Sequence, residues 1–179
     1  MINIKNYLSE TAVKNGLEPA NLQFPDCELE PAKIKVIMIS EVPPQDPDDG
    51  FYSNAAAPDY MRSITTAVKS PKTEYAVDSA VIKAHLPVLE AELALFPGLE
   101  VIMLMGDVAK KAVNMIAKAK TKKNIIPSES TYKIRHNEYY WGDIRVFPSY
   151  IMTGGNILIE KSKREMIADD IRRMIEIIK

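Results

Sequence analysis

The feature that most constrains the fold is a short apolar run, residues 34–39, followed at once by a proline-rich acidic loop, residues 41–52. The run Ile-Lys-Val-Ile-Met-Ile is rich in β-branched residues, which is typical of a strand buried on both faces of a parallel sheet. The loop cannot be regular structure, because its three prolines lack backbone donors and Gly50 permits positive φ. Open α/β sheets bind ligands at such strand ends, so we expect the functional site here.

The rest of the chain alternates between segments with the periodicity of helices and short segments with the pattern of strands. Helices are predicted at residues 2–15, 58–62, 76–96, 107–118 and along the C-terminal segment, and strands at 34–39, 63–68, 100–105 and 144–147. Residues 132–135 and 138–141 are interpreted as a hairpin. Four strands alternating with helices predict an α/β fold, a three-layer α/β/α sandwich with a mainly parallel four-stranded central sheet. We expect one domain over 1–179, with an N-terminal helix and wrapping segment at 1–32 and a core at 33–178.

Charge is distributed unevenly along the chain, although the formal net charge is only -1. Residues 1–60 carry four basic and ten acidic side chains, whereas residues 108–136 carry eight basic and one acidic. A basic segment of this kind is compatible with a surface that faces phosphate, and equally with a solvated helix face. DNA or a nucleotide is therefore one possible partner.

Cysteine and histidine are too scarce for most metal and disulfide chemistry. The chain has one cysteine, Cys27, and two histidines, His85 and His136, so we expect no disulfide framework, metal or other cofactor. No stretch approaches the roughly 18 uninterrupted apolar residues of a membrane span, and the N-terminus lacks a signal-like apolar core. A cytoplasmic protein without membrane contact is the expectation.

Three segments in order resemble motifs of one enzyme family. They are Ile39-Ser40-Glu41-Val42-Pro43-Pro44, Met103-Leu104-Met105-Gly106-Asp107-Val108-Ala109 and Val146-Phe147-Pro148-Ser149-Tyr150. The first looks like a variant of the Gly-Glu-Ala-Pro-Gly motif of the uracil-DNA glycosylase superfamily, and the others look like its third-strand junction and its last strand. The resemblance covers about residues 33–178 and is closest to an uncharacterised bacterial uracil-DNA glycosylase-like branch. The resemblance implies the fold of that superfamily and a role in DNA repair as a hydrolase of N-glycosidic bonds.

The resemblance also assigns roles to individual residues. Glu41, with Asp46 in reserve, is the expected catalytic carboxylate that holds water or stabilises charge. Phe51, Tyr52, Thr65, Thr66, Ser149 and Tyr150 are the expected base- or ligand-binding residues, with the aromatic pair stacking a flipped base and the threonines reading its edge. From the residues alone, Glu41 could equally cap a loop amide, and Phe51 and Tyr52 could fill the core.

The sequence departs from the family at two of its reacting groups. The histidine of the second motif is replaced within Ile151-Met152-Thr153, and the base-reading amide is replaced by a threonine. A separate cationic set, expected to bind phosphate or to lie solvated at the surface, comprises Lys133, Arg135, Lys161, Lys163 and Arg164. Three hypotheses stay open: a glycosylase with an altered site that acts on uracil or a deaminated base, a non-catalytic nucleotide or nucleic-acid binding protein, and an oligomeric scaffold.

Overall fold

The computed structural model describes residues 1–45, 61–71, 76–151 and 161–178, with residues 61–64 described by their backbone alone. Within these residues the chain forms a five-stranded, mainly parallel sheet flanked by helices, which confirms the α/β class. The expected number of four strands was wrong. Residues Tyr139–Trp141, interpreted as half of a separate hairpin, join the edge of the central sheet as a fifth strand.

The regular elements are numbered in chain order. The central strands are β3 (Val36–Ser40), β4 (Met61–Thr66), β5 (Val101–Met105), β6 (Tyr139–Trp141) and β7 (Ile144–Ser149). The helices are α1 (Ile4–Lys14), α2 (Ser79–Ala94), α3 (Asp107–Thr121), α4 (Thr131–Ile134) and α5 (Lys161–Ile175). A separate antiparallel pair, β1 (Ile2–Asn3) and β2 (Glu28–Leu29), ties the N-terminal helix to the segment that follows it.

The strand order across the sheet is β4-β3-β5-β7-β6. β4, β3, β5 and β7 pair in parallel, and β6 pairs antiparallel with β7 through a turn at Gly142, whose φ is +61°. The register of β3 against β4 shifts once, because Ile37 pairs with Arg62 whereas Ile39 pairs with Thr65. Because of this extra residue, the sheet faces on which Thr65 and Thr66 lie are exchanged relative to an unshifted β4.

Each face of the sheet carries its own core. On one face, Ile37 and Ile39 pack with residues of α1, α2 and α3, and on the other face Val36 and Met38 pack with Phe147 and α5. The alternation follows from the pleat, which sends successive side chains of a strand to opposite faces. Because both faces are covered, β3 and β5 are buried along their whole length. The mostly apolar sequence of residues 34–39 follows from this burial on both faces of the sheet.

Two local expectations were wrong. The short helix expected at 58–62 does not include residues 61 and 62, which belong to β4. The first hairpin strand expected at 132–135 is instead helix α4, in which Thr131 and Ile134 are buried one turn apart. Helix α2 lies within the expected range 76–96: Asp78 caps it by accepting a hydrogen bond from the Ala80 amide at 2.8 Å, and Pro87 lies inside it.

Candidate active site

The strand order creates a crevice at one edge of the sheet. From β3 the chain passes to β4 on one side, and then crosses to β5 on the other side of β3. Connections therefore diverge above the carboxyl ends of β3 and β5, where ligands bind in open α/β sheets. A cavity of about 420 Å³ lies there, within the roughly 300–1,000 Å³ of small-molecule sites. It is lined by Glu41, Gly106, Asp107, Ser130, Thr131, Tyr132, Ser149, Tyr150, Ile151 and Lys163.

Glu41 is the carboxylate that links β3 to the wall of this cavity. Its Oε1 atom accepts a hydrogen bond from the Val108 amide at 3.0 Å, in the first turn of α3. Its backbone carbonyl accepts a second bond from the Val68 amide at 3.0 Å, so the backbone is fixed on the β4 side too. The amino end of a helix stabilises negative charge, so the first turn of α3 is a favourable place for a carboxylate.

Gly106 makes room for this carboxylate. The residue has φ +97° and ψ 175°, a conformation that is almost confined to glycine. A Cβ atom here would meet the carboxyl carbon of Glu41 and the Cγ1 atom of Ile151, each at 2.8 Å. The glycine between β5 and α3 therefore permits both the turn and the approach of Glu41.

A buried lysine fixes the opposite wall. Lys110 pairs with Asp107 at 2.7 Å and donates to the Thr131 hydroxyl at 3.1 Å, so α3 is tied to α4. Asp107 lies in the first turn of α3, as expected, and is exposed apart from this contact. It adds a second carboxylate at the mouth of the cavity.

Ser149 and Tyr150 bring the end of β7 to the cavity. The Ser149 hydroxyl donates to Asp170 of α5 at 2.7 Å, and its backbone carbonyl accepts from the Gly106 amide at 3.1 Å. Tyr150 presents its ring to Lys163, whose amine lies 5.8 Å from the ring centroid. Burial raises the pKa of Tyr150, so its hydroxyl is a hydrogen-bond donor at neutral pH.

Arg135 lies behind the cavity and is engaged by α5. Its guanidinium reaches Asp170 at 2.8 Å and Asp169 at 3.1 Å, and it donates to the carbonyl of Met166 at 2.7 Å. Burial raises the pKa of Asp170, while the Ser149 hydroxyl and the Arg135 guanidinium act in the opposite direction. These contacts hold Arg135 against α5, and its expected role in phosphate binding stays a prediction.

The other cations expected to bind phosphate remain at the surface. Lys163 lines the cavity, and Lys133, Lys161 and Arg164 are exposed on α4 and α5. They lie on the two helices that flank the cavity on its β7 side. Their role in phosphate binding stays a prediction.

The two threonines at the end of β4 occupy different faces of the sheet. The Thr65 hydroxyl donates to Glu92 of α2 and accepts from Lys69, each at 2.6 Å, in a buried cluster away from the cavity. Thr66 pairs with Ser40 on the other face, and both side chains are 1% exposed. The hydroxyls of Ser40 and Thr66 have no hydrogen-bond partner among the described residues.

Some expected site residues cannot be placed, and others were missed. Asp46, Phe51 and Tyr52 lie outside the described residues. Tyr132 and Lys110 were not anticipated, because residues 132–135 were interpreted as a strand and Lys110 as one of many surface lysines. Ser130, which precedes α4, is a residue type favoured before a helix and was the available signal for Tyr132.

Comparison with protein-family models and with curated proteins found no match for this chain. In the described ranges, none of the helices has both the length and the apolar character required to cross a membrane. Those ranges also bring together no group of three or more histidine, cysteine or carboxylate side chains suited to a metal ion.

The arrangement offers three kinds of interaction to a ligand. Glu41 supplies a carboxylate that is held by a helix amide, Tyr150 supplies an aromatic ring, and Lys163 supplies a cation. A planar base, a sugar and an anionic group are complementary to these elements. A carboxylate held in position is also suited to stabilising positive charge that develops on a sugar.

Proposed function

We propose that the chain is a uracil-DNA glycosylase-like protein that takes a nucleobase into this cavity and hydrolyses its N-glycosidic bond. The observation that carries the proposal is the placement of Glu41. The residue that matches the carboxylate of the family's first motif borders the cavity at the carboxyl end of β3. The substrate class is uracil or another deaminated base in DNA.

The proposed chemistry uses one carboxylate beside the sugar. The bond from C1′ to the base nitrogen breaks, the electron pair leaves with the base, and water supplies a hydroxyl to C1′ and a proton to the base. Glu41 would orient that water or stabilise the oxocarbenium-like sugar. Tyr150, which lines the cavity, would contact the base. Neither of the threonines expected to read its edge lines the cavity, since the Thr65 hydroxyl bonds to Glu92 and Lys69 and Thr66 is 1% exposed.

The test is release of a base from oligonucleotides that carry uracil, hypoxanthine or xanthine, in single- and double-stranded form, followed by cleavage at the abasic site. We expect Glu41→Gln to lower the rate about 10²- to 10³-fold, the usual effect of removing one electrostatic stabiliser. The amide oxygen of glutamine still accepts from Val108, so the fold should persist. Glu10→Gln, at an exposed position on α1, is the control and should keep the wild-type rate.

Two results would contradict the proposal. Wild-type rates in Glu41→Gln would remove the assigned role, and a failure of the unaltered protein to release any of the three bases would remove the activity. Glu41 also makes the contact that a purely structural cap makes, and this favours a second candidate, a nucleotide- or nucleic-acid-binding protein without hydrolysis. That candidate predicts salt-sensitive binding with no base release.

A further inference from the structure

The cavity continues into an open groove between α4 and α5. The groove has a volume of about 610 Å³ and shares Tyr132, Tyr150 and Lys163 with the cavity. Ser162, Glu165 and Met166 of α5 line its other side. A ligand that is longer than one nucleotide would therefore pass from the cavity into the groove across these three shared residues.

Tyr132 is an exposed aromatic residue on this path. The residue is 71% exposed, whereas its neighbours Thr131 and Ile134 are buried and anchor the short helix that carries it. Single exposed aromatic residues are ordinary on protein surfaces. Tyr132 differs because it stands where the cavity meets the groove, on a helix held by Lys110 and by the contacts of Arg135.

The charge along the groove favours an anionic strand. Arg135 is engaged by Asp169 and Asp170, so its charge is largely balanced. Lys163 lines the groove, and Lys133, Lys161 and Arg164 are exposed on the same two helices. The acidic residues that line the groove are Glu165 and Asp169, of which Asp169 is bound to Arg135. An aromatic ring beside several cations is the combination with which proteins bind single-stranded nucleic acid, by stacking bases and neutralising phosphates.

We propose that this groove holds the nucleotide next to the one in the cavity, with its base stacked on Tyr132 and its phosphate beside Lys163. The inference rests on the proposed function, which places a nucleobase in the cavity. Stacking on Tyr132 and insertion into the cavity both take a base out of the stack of a duplex, and this costs least where the strand is already single. The preferred ligand is therefore a single strand rather than a duplex.

The experiment measures the binding of a short fluorescent single strand with one central uracil, by anisotropy, and the binding of deoxyuridine by competition. We expect Tyr132→Ala to weaken strand binding by about 5- to 150-fold, the range for loss of one base–aromatic stack. The affinity for deoxyuridine, which has no neighbouring base to stack on Tyr132, should fall less than about twofold in the same variant. Tyr132→Phe keeps the ring and should restore wild-type strand affinity.

Two further variants complete the design. Tyr140→Ala removes another exposed tyrosine, from β6 at the far edge of the sheet, and should leave binding unchanged. Lys163→Met should weaken binding and lower the slope of log affinity against log salt by about 1. Thermal melting confirms that each variant is folded.

The inference is overturned if Tyr132→Ala binds the strand like wild type, if deoxyuridine is weakened equally, if the duplex is preferred, or if no strand binds. These outcomes are separable from failure of the proposed function, because binding is read without catalysis. Strand binding that depends on Tyr132, without base release, would support binding in the groove and contradict the proposed hydrolase activity. Base release that is insensitive to Tyr132→Ala would support the hydrolase activity and contradict stacking on Tyr132.

Discussion

Gly106 shows at the scale of one residue how the site depends on backbone geometry. The residue combines a conformation that favours glycine with contact to Glu41 and Ile151 on the side where a Cβ would lie. Gly142, in the turn between β6 and β7, also has a positive φ of +61°, but a Cβ atom there would have no other atom within 4 Å. Backbone strain is therefore expected on substitution of either glycine, whereas overpacking is expected only at Gly106.

We expect Gly106→Ala to lower the free energy of unfolding by about 2–5 kcal/mol, because backbone strain and overpacking add. Gly142→Ala should cost only about 1–2 kcal/mol, from the left-handed backbone alone. Chemical denaturation of the two variants measures the difference. Equal losses would mean that the neighbours of Gly106 move aside without cost.

At the scale of elements, a buried ion pair joins α2 to the segment after β4. Lys69 contacts Glu92 at 2.6 Å, and both side chains are at most 2% exposed. The Thr65 hydroxyl lies between them, bonded to both. The pair therefore ties α2 to the end of β4 and to the segment that follows it.

Two matched substitutions on α2 test this link. Glu92→Gln should lower the free energy of unfolding by about 3–5 kcal/mol, because it leaves the Lys69 ammonium buried without its carboxylate. Glu90→Gln removes a pair of similar length with Lys120, 2.6 Å, in which both side chains are about half exposed. It should cost under about 1 kcal/mol. Similar costs in urea unfolding would rule out a special role for the buried pair.

The short helix α4 shows why elements of this size were hard to predict. The sequence Tyr-Lys-Ile-Arg at 132–135 alternates like a strand, yet Ile134 and Arg135 are both buried. Arg135 is buried because Asp169 and Asp170 of a distant helix bind it. Such a contact has no signature near residue 135, so local periodicity gave the wrong element there.

At the scale of the whole molecule, stability should depend on pH through His85. The Nδ1 atom of His85 accepts a hydrogen bond from the Lys69 amide at 3.2 Å. Burial, and then the charge of Lys69, lower the pKa of His85 to about 4. The unfolded chain binds a proton near pH 6.5, whereas the native ring stays neutral, so stability is lost as pH falls from 6.5 towards 4.

We expect this one group to contribute a slope of up to about 1.4 kcal/mol per pH unit in that window. His85→Gln keeps an acceptor for the amide but cannot be protonated, so its stability should vary less as the pH falls through that window. His136→Gln, which removes the exposed histidine, is the matched control. A slope as steep in His85→Gln as in His136→Gln would contradict the assignment.

The sequence by itself determined the class of the fold and the position of the crevice. Residues 36–39 and 101–105 are continuously apolar because both strands are covered on both faces, and this pattern is visible within each strand's own sequence. Helices α1, α3 and α5 were likewise visible, because an amphipathic stripe repeats within one element. Glu41 was found because it follows the first of those strands directly.

Only the tertiary structure decided how the side chains are used. The register shift in β4 sends Thr65 to Glu92 and Thr66 to Ser40, although the two were expected to act together. Tyr132 reaches the cavity only through the packing of α4 between α3 and α5. Periodicity reports which residues of one element share a face, whereas a site depends on contacts between elements distant in sequence, which leave no periodic mark.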